Sequence, residues 1–410
     1  MKKILLVGYL FFTAIIAGHA EGYQVNLQGQ RQTGMGHIGT GLSLGASSIH
    51  FNPGALSLME TNWEFSFGVS PIFSSNTFQK QSPSIYETYS DNPVGTPFSL
   101  YAAHKFNDKL AVGIGVTTPY GNSLVWGDDW DGRYLIQDIS LSAIFIQPTV
   151  SYRLLDNLSV GAGLTVVSGS VELGKALPFV GQDGKEGGVN LSGSTIGYGF
   201  NVGVFFQASE KFSLGVDYRS QVDMEMEGGD AVFSAPVSMQ GYFPADNTFS
   251  ATLPLPANLV VGLGWNPTEK LTLGFDFQYV FWSAYQSLDF DFEKNTAVLQ
   301  DSENARNFSN SAVYRIGGEY HLNEKIDLRA GFYYDQTPIP EDYLTPETPG
   351  TNKYGISGGF SWYITNKLSL DVSFLFIQGQ KREDGYEAAD FYGTYYTNAV
   401  IPGFGLNYTF

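Results

Sequence analysis

From about residue 60 to its end, the chain repeats one pattern: an apolar side chain at every second position, with polar or charged side chains between. Leu368, Leu370, Val372, Phe374 and Phe376 share one face against Ser369, Asp371 and Ser373. Leu271, Leu273, Phe275, Phe277 and Tyr279 oppose Thr272, Asp276 and Gln278, and Ile326, Leu328, Ala330 and Phe332 oppose Asp327 and Arg329. A period of two is that of a β-strand, whose side chains point alternately to the two faces of a sheet. Val400, Phe404, Leu406, Tyr408 and Phe410 carry the alternation to the final residue.

Two kinds of connection separate these strands. Short polar turns occur at 106–109, 155–157, 209–211, 266–270, 322–325 and 365–367. Longer Gly/Pro-rich stretches lie at 74–95, 120–139, 173–194, 226–254, 291–310, 338–351 and 379–398. The two kinds alternate without exception, so about fourteen strands are expected, with both ends of the wall on the short-turn side. The face opposite the apolar one carries Asp217, Arg219, Asp276, Arg315, Glu319, Asp327, Arg329 and Asp371, with both signs present. An apolar outer face and a charged inner one predict an all-β fold, a transmembrane antiparallel β-barrel of about 14 strands with a polar lumen. Such a sheet must close on itself, because hydrocarbon offers no partner to an unpaired backbone edge. The inner charges are expected to satisfy one another as a structural lattice.

Composition agrees with this and removes other classes. Glycine is abundant (48 of 410 residues), while aromatic and charged residues each make up 15%. That balance suits aromatic belts at two membrane interfaces and a wall that must bend. The formal net charge of −18 argues against a nucleic-acid partner, which needs a basic face. The absence of cysteine excludes disulfides, thiolate metal sites and a cysteine nucleophile. Asp128-Asp129-Trp130-Asp131-Gly132 lacks the downstream glutamate of a calcium loop, so neither a metal nor any other cofactor is expected.

The chain starts Met1-Lys2-Lys3, followed by an apolar run from Ile4 to Ala17 and then Gly18-His19-Ala20. This is the layout of a secretory signal peptide over residues 1–20. With the barrel at 61–410, it predicts a multi-pass protein of the outer membrane of a Gram-negative-type bacterium, bounded by that membrane's lipid. Residues 21–60 do not alternate. They hold Gly34, Gly36, Gly39, Gly41 and Gly45, then Ala46-Ser47-Ser48, then Phe51-Asn52-Pro53-Gly54-Ala55-Leu56. Small residues at this density let backbone pack closely in a confined space. The expectation is an N-terminal hatch, or plug, inside the lumen.

A glycine-rich stretch, then Phe51-Asn52-Pro53, then a barrel resembles the FadL family of outer-membrane transporters for long-chain fatty acids and other hydrophobic compounds. Further matches are Thr117-Thr118-Pro119-Tyr120-Gly121, Trp130-Asp131-Gly132-Arg133-Tyr134, Phe281-Trp282-Ser283-Ala284-Tyr285, Tyr314-Arg315-Ile316-Gly317 and Asp335-Gln336-Thr337-Pro338. They extend over essentially the whole chain after residue 20. The chain departs from the family in placing Gly54 before Ala55, where alanine commonly follows Asn-Pro.

The resemblance implies passive uptake of a hydrophobic ligand, with capture among the long loops, an internal site by the hatch and lateral exit at a kink in the third strand. The kink residues would be Pro119, Tyr120, Gly121 and Asn122, gated by Asn52, Pro53 and Gly54. Pro119 cannot donate a ladder hydrogen bond, which fits a break there. By resemblance, Lys175 serves a ligand carboxylate at one position, and Arg306 or Arg315 at a second. Leu177, Phe179 and Val180 in one long loop, with Phe233, Met239, Tyr242, Phe243 and Phe249 in another, supply an apolar capture groove. A fatty acid, an aromatic hydrocarbon, a signalling lipophile or another greasy compound would each suit it. The barrel is expected to act alone and not to be an enzyme. A general diffusion pore for polar solutes and a barrel lipid hydrolase are the alternatives; the hydrolase would need a histidine base, and His104 and His321 lie beside short turns.

Overall fold

The computed structural model describes residues 22–181 and 184–410. The expected signal peptide at 1–20 lies outside the described residues. The wall is a closed antiparallel barrel of fourteen strands. β1 comprises Trp63–Val69 and Phe73–Lys80, β2 Glu87–Tyr89 and Phe98–Lys105, β3 Leu110–Val125 and β4 Asp138–Leu155. β5 is Leu158–Val180, β6 Glu186–Gln207, β7 Phe212–Arg219 with Val222–Ser234, and β8 Asn247–Leu255 with Asn258–Thr268. β9 (Leu271–Val280), β10 (Ser311–Asn323), β11 (Ile326–Asp335), β12 (Lys353–Tyr363), β13 (Leu368–Gly379) and β14 (Phe391–Thr409) complete it.

Each short turn falls between two strands, and in most of them a polar side chain binds the turn's own backbone. Asn107 Oδ1 accepts from the Lys109 and Leu110 amides at 2.9 and 3.0 Å. Thr365 Oγ1 accepts from Lys367 and Leu368 at 3.1 and 3.0 Å. The ring shuts where β1 meets β14, in the register Glu64↔Thr409 to Val69↔Phe404. Reciprocal bonds between Trp63 and Phe410, 2.9 and 3.0 Å, end that seam, and the two rings stack at 6.0 Å. The final aromatic is therefore a clasp.

The long connections contain more strand than their composition suggested. β5 has 23 residues and β6 has 22, whereas a membrane crossing uses about 9–11. The hairpins keep pairing above the apolar band, and their outward side chains change character there. On β5 the exposed Leu164 and Val166 give way to exposed Ser168 and Ser170. The Phe281–Tyr285 stretch goes the other way: β9 ends at Val280, and Trp282–Ala284 forms a 3₁₀ turn.

All eight expected inner charges are buried. Residues 23–58 pack against them, through α1 (Gln30–Thr33), α2 (Ser48–Phe51) and two 3₁₀ turns, Gly45–Ser47 and Pro53–Leu58. Asp276 accepts the amides of Gly39 and Thr40 at 2.8 and 3.0 Å. Glu319 binds both Arg31 and Arg329 at 2.6 Å, and Arg329 continues to Asp371 at 3.1 Å. Arg219 donates to the His50 carbonyl at 2.9 Å. With Ser151 on β4 donating to the Gly54 carbonyl at 3.2 Å, the N-terminal segment is bonded to strands on opposite sides of the ring, β4 and β10, so it runs through the lumen. Glycines set the closeness of this fit: a Cβ on Gly331 would lie 2.0 Å from the Gly36 amide nitrogen, and one on Gly262 2.3 Å from that of Gly41.

Candidate ligand site and lateral opening

Above the filled part of the lumen, the strand extensions and long loops enclose a cavity of about 330 Å³. Leu177, Phe179, Phe233, Phe243, Phe290 and Phe292 give it an apolar wall, with Lys175 and Arg306 on its margin. Phe243 packs on Phe179 at 5.6 Å and on Phe233 at 5.3 Å. Arg306 is ion-paired with Glu347, with the two side chains only 5% and 12% exposed, and its guanidinium lies over the Tyr386 ring at 5.7 Å. Burial is the strongest single influence on Arg306 and opposes its charge, but Glu347, Tyr285 and Tyr386 together hold the group above its ordinary pKa.

Lys175 stands on β5 beyond the apolar band. Burial lowers its pKa, with Glu347 opposing the shift. Among the described residues its ammonium has no hydrogen-bonded partner. An anion at this position would meet one guanidinium already matched and one ammonium that is not.

A second, more apolar chamber adjoins the first. Leu173, Leu191, Leu288, Phe290 and Glu347 line both. Its inner side is made by Met224, Met226, Phe249, Leu253, Leu255 and Tyr23. The free volume is about 80 Å³. An apolar cavity of roughly 150 Å³ is needed to hold even a benzene ring, so a ligand must displace side chains here. Methionines suit that, because their unbranched chains repack easily.

The chamber reaches Asn122 on β3, at a break in the wall. β3 pairs with β2 only up to Ser99↔Thr117. Its pairing with β4 continues, with a register shift between Thr117 and Tyr120. Thr118 still reaches β2 through its hydroxyl, which accepts from Phe98 N at 3.0 Å, but 119–124 pair with nothing on β2 until Asp91 donates to the Val125 carbonyl at 2.8 Å. The start of the N-terminal segment covers this window from inside. Val25 donates to Pro119 O at 2.8 Å, and Gly121 to Tyr23 O at 3.0 Å. Gln28 Nε2 reaches Thr118 O at 3.4 Å. Tyr120 donates to Pro256 O at 3.0 Å, and Tyr23 to Pro254 O, which ties the window to the break in β8. Asn122 Nδ2 binds the Glu347 carbonyl at 2.8 Å, so the loop carrying the partner of Arg306 also touches the window.

The residues singled out from sequence separate into three places. Lys175, Arg306, Leu177, Phe179, Phe233 and Phe243 come together around the first cavity. Phe249 belongs to the second, Met239 packs against the buried apolar cluster around both, and Val180 and Tyr242 are exposed. Arg315 is elsewhere: it is buried low in the lumen beside a small polar cavity with His37, His50 and Asp276.

Asn52, Pro53 and Gly54 are not at the β3 window, and that expectation is corrected. Asn52 is fully buried, with Nδ2 on Thr40 O (2.9 Å) and Val204 O (3.0 Å) and Oδ1 accepting from Gly54 N (3.0 Å). This trio is held against β5 and β6, where Gly161 and Gly203 leave no side chain in the way of the Pro53 ring and carbonyl. The window is met by Tyr23, Val25 and Gln28 instead. Sequence reading also missed Met224 and Met226; their alternation on β7 with Asp223, Glu225 and Glu227 was the available signal.

A sealed barrel with a greasy cavity beneath its long loops defines an outer-membrane channel for hydrophobic compounds. The profile of the family described as Outer membrane protein transport protein (OMPP1/FadL/TodX) matches residues 12–410, and the chain belongs to that family. It is 26% identical over 311 residues to Outer membrane protein P1 of Haemophilus influenzae, covering 69% of this chain and 66% of that protein. It is 22% identical over 402 residues to the Long-chain fatty acid transport protein of Escherichia coli K12, covering 88% of each. Its fold superposes on the crystal structure of a Pseudomonas aeruginosa FadL homologue with a TM-score of 0.82 at 17% identity, covering 95% of this chain and 100% of the other.

Proposed function

We propose that the protein takes up long-chain fatty acids passively. The ligand is captured under the long loops, lodges in the apolar chamber above the plug formed by the N-terminal segment, and leaves sideways through the β3 window. One observation carries this reading: the cavity holding Lys175 and Arg306 continues into an apolar chamber that ends at the window residue Asn122. A buried carboxylate needs a cation or several donors, and the two basic side chains supply them while the aromatic wall takes the chain. Lateral exit suits an amphiphile, because each buried CH₂ gains about 0.8 kcal/mol outside water. The window can open when Tyr23–Val25 withdraws from Pro119 and Gly121, with no energy source. The name of the E. coli relative favours the same ligand class. Nothing in this path calls for a catalytic group, a cofactor or a second barrel.

Calorimetry in detergent with oleate and oleyl alcohol tests the capture step. Replacing Lys175 by Met removes a charged hydrogen bond worth about 1.5–3 kcal/mol, so oleate should bind roughly 10- to 100-fold more weakly. Oleyl alcohol should be unaffected. Equal oleate affinity in the two proteins would end the assignment of this cavity to a fatty-acid carboxylate.

A further inference from the structure

We infer that the wall has a second lateral opening, between β6 and β7 at the outer edge of the membrane, and that it admits uncharged lipophiles to the apolar chamber. This inference rests on the uptake reading above.

The paired register of β6 and β7 runs from Gln207↔Ser213 to Asn201↔Arg219 and stops. It resumes only at Ser192↔Asp230. Between these points eight residues of β6 (193–200) lie opposite ten of β7 (220–229), so the two strands cannot keep one ladder. β5 and β6 pair continuously over the same height, through Ser170↔Ser194 and Val166↔Tyr198. In a wall facing lipid, an interrupted ladder is costly unless side chains or interfacial water serve the backbone. The first step is still bonded, with Ser220 N donating to Phe200 O at 2.9 Å and Ser220 Oγ accepting from Phe200 N at 2.9 Å; beyond it Thr195 Oγ1 donates to Glu225 O at 2.5 Å.

The seam starts inside the apolar band and ends above it. Phe200, Tyr198 and Ile196 on its β6 edge are 44%, 73% and 60% exposed, and beyond them the outward residues become serines. Its inner face is closed by side chains. A Cβ on Gly193 would lie 2.5 Å from Met226 Sδ, and one on Gly197 2.5 Å from Val222 Cγ1 and 2.8 Å from Met224 Sδ, so both methionines and Val222 lie across the glycines of β6. The same methionines line the apolar chamber. Met224, Met226 and Val222 are thus the side chains that stand between the chamber and the seam, and their displacement with a parting of the unpaired strands joins the chamber to the outer leaflet.

Charge decides which ligand this route suits. Asp223, Glu225 and Glu227 are exposed along the β7 edge. Three carboxylates repel a fatty-acid anion approaching within a Debye length, about 8 Å at physiological ionic strength. An alcohol, ester or hydrocarbon dissolved in the leaflet meets no such barrier. Acids would use the Lys175 cavity instead.

Because the chain contains no cysteine, an introduced pair is the sole thiol target. Cells producing Ile196→Cys/Glu225→Cys are treated with a short reducible bis-methanethiosulfonate linker, and uptake of labelled oleyl alcohol and oleate is followed before and after reduction. Ser170→Cys/Ser194→Cys on the paired β5–β6 seam is the control. The linker should remove most oleyl alcohol uptake, spare oleate, be reversed by reductant, and have no effect on the control. Unchanged oleyl alcohol uptake with the seam linked overturns the inference while leaving the fatty-acid route standing, and so does an equal loss of both compounds. If the unlinked protein takes up neither compound better than cells lacking it, the uptake reading itself fails and the seam falls with it.

Discussion

The two halves of the lumen are built on opposite principles. The lower half is polar and full. Arg329, Glu319, Arg31 and Asp371 form a continuous ion-pair chain, and plug backbone lies against wall backbone at Gly36–Gly331 and Gly41–Gly262. The upper half is apolar and only loosely filled, with methionine and phenylalanine side chains around two connected cavities. On the uptake reading proposed above, the barrel must stay closed to polar solutes yet pass a greasy one, and it needs both. Buried charge fixes the seal, because displacing one partner strands the other. Flexible apolar side chains make room at little cost, because any repacked arrangement is about as good as the last.

The largest effect expected from this contrast is in the lower half. Arg329→Met leaves Asp371 without its guanidinium and Glu319 with Arg31 alone, and breaking a buried pair costs about 3–5 kcal/mol. Urea unfolding of the detergent-solubilised barrel should detect a loss of that size. A smaller effect is expected where the halves meet. Val25→Pro deletes the donor to Pro119 O, worth about 1 kcal/mol net, which should favour the open window about fivefold. Faster oleate uptake at unchanged unfolding stability is the outcome to look for; a slower rate would mean that this contact is not a latch. The smallest effect is in the upper half, where Met224→Leu conserves volume and should change stability by less than about 1.5 kcal/mol. Its mark should instead be weaker binding of bulky, rigid ligands, as the less adaptable side chain repacks poorly. Were Met224→Leu to destabilise the barrel as much as Arg329→Met, the division into a fixed and a yielding half would be wrong.

The two breaks in the wall differ in the same way. At β2–β3 the uncovered edge is closed by main chain, with Gln24 pairing with Tyr120 in strand fashion. At β6–β7 it is closed by side chains, Val222 and the thioethers of Met224 and Met226. Only the first has a sequence mark, Pro119, whose missing N–H forbids a ladder bond. The second arises from two extra residues on β7, a mismatch that no single residue announces.

The sequence by itself determined the barrel. Strict alternation separates a lipid face from a charged face, and turn residues such as Asn107 and Thr365 sit where their side chains satisfy the local backbone, so strand number and the sense of the wall are local properties. The burial of the eight inner charges follows from the same period of two. What only the tertiary structure decided is which distant residues meet. Lys175 and Arg306 share a cavity while Arg315, an equal candidate by the family resemblance, lies low in the lumen beside Asp276. Asn52 and Pro53 sit against β5 and β6, and Tyr23–Val25 holds the β3 window in their place. The plug has no periodicity to reveal its path. Its course is set by where glycines on the wall leave room and where buried charges require a partner, and both depend on the closed ring around it.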